Sequence, residues 1–150
     1  MKFARLGPFA AAAALLVTGC SQDDPEAEIR AVLAAAETAA EARDTGFFRD
    51  LIGDGYRDAR GNDREQLINL LRGYFLANQK IEVVSRVEEV RLDGAGAAHA
   101  IVDAALVGQR AGESLLGGLG GDFYRFQIEL VDDGGEWRMI GAKWERGAGQ

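Results

Sequence analysis

At Lys80 the spacing of the apolar residues changes from three and four to two, and it does not change back. Before that point the chain reads as helices. A first helix starts near Asp24, with Pro25 at its first position and Glu26 and Glu28 at its positive end; Ile29, Val32, Leu33, Ala36 and Ala40 make one face. After Asp44-Thr45-Gly46 a shorter helix carries Phe47, Phe48, Leu51 and Ile52 and stops at Gly53. Tyr56 to Gly61 is a polar passage. Asn62 and Glu65 then form the capping-box pattern of a third helix, whose stripe is Leu67, Leu70, Leu71, Tyr74 and Phe75.

From Lys80 on the chain reads as strands. Ile81, Val83, Ser85 and Val87 share a face, whereas Val90 and Leu92 fall out of phase, which predicts a β-bulge near Glu88-Glu89. Asp93-Gly94-Ala95-Gly96 turns the chain into a second strand over 97–107. A glycine-rich connection, 108–121, leads to a third strand over 122–132 with Tyr124, Phe126, Ile128 and Leu130 on one face. Asp133-Gly134-Gly135 is a hairpin into the last strand, 136–146, where Gly141 marks a second slip of phase. Helices first and strands afterwards give an α+β domain.

The N-terminus is of another kind. Lys2 and Arg5 precede an apolar run, Phe9 to Val17, too short for the ~20 residues that span a bilayer. The run ends in Val17-Thr18-Gly19-Cys20, with the only cysteine of the chain. This stretch resembles the lipobox of bacterial lipoproteins, in which the cysteine is lipidated and the segment before it removed. The resemblance implies a signal peptide over 1–19, a lipidated Cys20 with a short linker over 20–25, and a partner in the membrane through acyl chains on Cys20. Ser21, where an aspartate would resemble the inner-membrane retention signal, implies an outer-membrane protein of the bacterial envelope facing the periplasm. The alternative is an ordinary cleaved signal that leaves Cys20 as a free thiol.

The chain carries −7, and loss of Lys2 and Arg5 would leave about −9, a charge that repels phosphate backbones. No nucleic-acid partner is expected. With one histidine and no second cysteine, neither disulfides nor a metal site of the usual ligands is expected, nor any cofactor.

The alanine-rich first helix, the short phenylalanine-rich second one and the final strand Glu136-Trp137-Arg138-Met139-Ile140-Gly141-Ala142-Lys143-Trp144 resemble the NTF2-like (cystatin-like) superfamily. Tyr56-Arg57-Asp58 through Arg64, with Leu71 to Phe75, is similar to proteobacterial lipoproteins of that fold. The resemblance implies an α+β, NTF2-like cone over 26–146, three N-terminal helices on a strongly bent antiparallel sheet of about four strands, and a frayed tail over 147–150. Members of that superfamily include isomerases, dehydratases and hydrolases as well as binding and dimerising domains, so the fold names no activity.

His99 is the group best suited to proton transfer near neutrality, but in its strand it lies about 13 Å from Asp103, too far for a hydrogen bond, and it also reads as a solvated residue of the outer sheet face. Tyr56 and Asp58 could polarise a carbonyl and move a proton; flanked by Arg57, Arg60, Asp63 and Arg64, they also read as a solvated, salt-bridged loop. The 108–121 connection reads either as a mobile lid whose Leu115, Leu116 and Leu119 fold over the cone or as a passive link. The candidate pocket is therefore Phe48, Tyr56, Asp58, Tyr74, Leu115, Leu116, Leu119, Phe126 and Trp144, with lipidation at Cys20 and no catalytic or metal-binding residue assigned. The leading expectation is a non-catalytic envelope lipoprotein that binds a small apolar ligand or a protein partner. A small general acid–base enzyme working in the cone and a homodimeric envelope scaffold are the alternatives.

Overall fold

A computed structural model describes residues 24–94, 96–110 and 122–147. Cys20, Leu115, Leu116 and Leu119 lie outside the described residues. The helices are α1 (Pro25–Glu41), α2 (Thr45–Leu51) and α3 (Arg64–Ala77); the strands are β1 (Ile52–Asp58), β2 (Asn78–Leu92), β3 (Ala97–Arg110), β4 (Asp122–Asp133) and β5 (Glu136–Arg146). The sheet order is β1-β5-β4-β3-β2. All pairings are antiparallel except that of β1 with β5. No helix among the described residues is long and apolar enough to cross a membrane.

Caps start each helix. Asp24 accepts from the Glu26 N–H, and Asp44 from the Phe47 N–H. In α3 the capping box is Asp63 with Gln66, each closing on the other's backbone at 2.9 Å, one residue later than the expected Asn62 and Glu65. Asn62 is taken by Asp58, which accepts from its backbone N–H and its Nδ2, so its side chain is not free to cap.

The passage expected to be loop around Tyr56 is β1, a strand added to the four long ones, and Ile52 opens it instead of closing α2. Its glycines and charges hide it from any period; what holds it is β5, which it pairs at Ile52–Met139 and Arg57–Gly141. Both expected bulges are present. The β2 register slips between Val87 and Glu89, and β5 slips where Gly141 pairs Glu129 and Met139 pairs Leu130. Strand β3 runs on through Gly108 to Arg110, so the connection begins three residues later than expected.

Ile29 and Leu33 of α1 pack on Ala98, Ala100, Val102, Leu130 and Trp137 of the inner face of the sheet. The small alanines of β3 let the helix lie close. A second cluster joins Ile52, Tyr56 and Ile68; a third joins Phe75, Ile81 and Val83. The stripe of α3 is rotated from the expected one: Ile68 and Phe75 are buried, whereas Leu70 and Tyr74 are 55% and 37% exposed.

Candidate functional site

Pairing fixes which side chains share the inner face. Ala104 pairs Tyr124, Val102 pairs Phe126, and Phe126 pairs Trp144, so three aromatic rings from two strands lie side by side. Tyr124 and Phe126 have centroids 5.9 Å apart, Phe126 and Trp144 6.4 Å, and all three are only half-buried. The contacts of α3 run to β1, β2 and α2. Its Tyr74 reaches β3, where a Cβ on Gly108 would stand 2.7 Å from the Tyr74 hydroxyl and 2.5 Å from Asn78 Oδ1. A side chain at Gly108 would therefore have to displace the Tyr74 and Asn78 side chains.

The two polar candidates point inward from β1 but are held differently. Asp58 Oδ1 accepts from the backbone N–H groups of Arg60 and Asn62, both at 2.9 Å, and Oδ2 accepts from Asn62 Nδ2 at 2.8 Å. Burial alone would raise its carboxyl. The Asn62 side-chain and backbone bonds, the Arg60 N–H and the Arg60 charge outweigh this and hold it below the usual carboxylate value. Tyr56 is 1% exposed, and its hydroxyl has no hydrogen-bond partner among the described residues. Burial, and next the negative charge of Asp58, push the phenol well above its ordinary value.

Six of the nine expected pocket residues are described, and they lie in neighbouring but distinct places. Phe126 and Trp144 are neighbours, and Asp58 adjoins them through Arg60, whose guanidinium carbon lies 4.7 Å over the Trp144 ring. Phe48, equally half-buried, lies 6.0 Å from Phe75 and packs on the cluster that holds Tyr56. Tyr74 stands at the α3 edge. Sequence reasoning read Arg60 only as part of a charged loop, because its place over Trp144 depends on β1 lying beside β5, and it missed the place of Tyr124 in the row, which depends on the β4–β5 pairing. His99 is on the outer face, half-exposed, with Nε2 2.9 Å from Asp93 Oδ2; Asp103 pairs instead with Arg125. Among the described residues no three of His, Cys, Asp and Glu are placed to hold a metal ion.

No protein-family profile and no curated protein matches the chain in sequence. Solved structures do match in shape. A candidate scytalone dehydratase from Novosphingobium aromaticivorans superimposes with a TM-score of 0.69 at 9% identity, over 82% of this chain and 84% of that one. A protein of cystatin-like fold from Caulobacter vibrioides gives 0.66 at 16%, over 82% and 89%. A ketosteroid isomerase-like protein from Erwinia carotovora gives 0.65 at 14%, over 85% and 99%. The fold is NTF2-like. At these identities the likeness fixes the NTF2-like architecture alone, and function rests on the side chains.

Proposed function

We propose that this chain is a lipid-anchored envelope protein whose NTF2-like domain takes up a small apolar ligand on the inner face of the sheet without transforming it. The observation that carries the reading is the half-buried row Tyr124, Phe126 and Trp144. Aromatic rings left half-buried suit an apolar guest.

Two of the similar structures bear the names of an isomerase-like protein and a candidate dehydratase, and the inward Tyr56 and Asp58 favour acid–base chemistry as a second reading. Proton transfer works best with groups whose pKa lies near the working pH. Here the phenol is pushed up and the carboxyl held down, so each keeps one protonation state through neutrality. That supports binding over catalysis. Titration of the mature chain in nanodiscs with decane-chain alcohols, followed by the Trp144 indole N–H cross-peak, tests it. Saturable movement of that peak is expected; an unmoved peak overturns the reading.

The anchor rests on Val17-Thr18-Gly19-Cys20 behind a short apolar run. Acyl mass on the Cys20 peptide and recovery with outer membranes are expected, and Cys20→Ser should leave a soluble or unprocessed protein. An unmodified Cys20 peptide in the wild type would end this part of the account.

A further inference from the structure

We infer that a second surface, the trough between α1, α2 and the β4–β5 hairpin, docks a peptide segment of another protein that presents apolar side chains between lysines or arginines. The trough has a volume of about 740 Å³ and is shallow and largely open to solvent. That volume falls within the ~300–1,000 Å³ of ordinary binding sites. One wall is the α1 stripe Ala31, Val32 and Ala35, whose spacing sets them on one helix face; the other is Phe47 and Leu51 of α2, and Trp137 closes the end. The small alanines leave room for a backbone to lie against the helix.

The rim decides the chemistry of the occupant. Glu28, Asp50 and Glu136 surround the apolar floor, and Arg138 is the one cation among the lining residues. Arg138 is already engaged: its guanidinium bonds the Asp50 carbonyl and the Glu136 carboxylate and lies 3.9 Å from Asp133. Glu28 is held in place by the Trp137 indole N–H at 3.1 Å. The rim is therefore net acidic on a chain of charge −7, which attracts cationic flanks and repels acidic ones. An open, apolar-floored trough with this rim fits an extended basic and aliphatic segment better than an enclosed neutral metabolite.

The two tryptophans separate this inference from the preceding one, since Trp137 reports on the trough and Trp144 on the aromatic row. The mature chain in phosphatidylcholine nanodiscs is titrated with a blocked lysine-leucine-phenylalanine-lysine peptide and with its glutamate-flanked counterpart. The lysine peptide should shift the Trp137 indole N–H cross-peak saturably and leave that of Trp144 in place. Asp50→Asn with Glu136→Gln should weaken binding roughly fivefold, as two exposed ion pairs are lost. Added salt should weaken the wild type in the same direction, which needs no variant to fold. Equal binding of the glutamate peptide, an unmoved Trp137 peak, or salt-independent binding would each overturn the proposal.

Discussion

Asp58 is the residue on which the junction of β1 and α3 turns. One carboxylate satisfies two backbone N–H groups and a side-chain amide, so Asp58→Ala leaves three donors without their acceptor. A loss of about 2–4 kcal/mol at neutral pH is expected from urea unfolding. The pH dependence has a definite sign. Because the folded carboxyl titrates below its ordinary 3.8, its contribution is complete above that value and disappears as pH falls through the lower, folded value. Wild type and variant should therefore converge in stability under strong acid. Tyr56 offers the opposite case. Its buried hydroxyl meets no partner within hydrogen-bond geometry among the described residues, with the Asp58 carboxylate as its nearest charge, so Tyr56→Phe removes a buried polar atom at little cost. Unchanged stability, or a gain of up to about 1 kcal/mol, is expected together with undiminished ligand uptake; lost uptake would instead make the hydroxyl a ligand contact.

At the scale of elements, α1 does more than cover the core. Strand β2 is the sheet edge, and its outward backbone groups are matched by side chains one helical turn or more apart. Glu41 accepts from the Val83 N–H at 3.1 Å, Glu37 from the Ser85 N–H at 3.1 Å, and Arg30 donates to the Val87 carbonyl at 3.3 Å. Four helical residues rise about 6 Å and two strand residues about 6.6 Å, so the carboxylates keep step with the edge. Such cover guards an edge against pairing with another chain. Glu37→Ala with Glu41→Ala should destabilise the fold by about 1–3 kcal/mol and yield larger species in light scattering. A monodisperse variant of unchanged size would show that the edge needs no such guard. Much at this scale was legible in the sequence. The bounds of β5 and both bulges followed from phase, which a single chain displays. β1 and the cap of α3 were not legible, because Gly53, Gly55 and Arg57 become strand only beside β5, and Asn62 is diverted only by Asp58.

For the whole molecule, periodicity reached the α+β plan because helices and long strands each bury one face. The site was less legible. Phe126 and Trp144 could be named as cavity residues, but their adjacency depends on the β4–β5 register, and the Arg60 contact depends on a strand pair some eighty residues apart in sequence. The acidic trough escaped notice because its alanines read as packing residues. The central claim is that the domain holds an apolar molecule on its aromatic row without converting it. Native mass spectrometry of the mature protein released from its own membrane tests this most directly, with Phe126→Ala/Trp144→Ala beside the wild type. The account predicts a bound mass on the wild type that is missing from the variant and is recovered chemically unchanged after reincubation. Wild-type protein carrying no added mass, the same mass on the variant, or a product recovered in place of the bound molecule would contradict it.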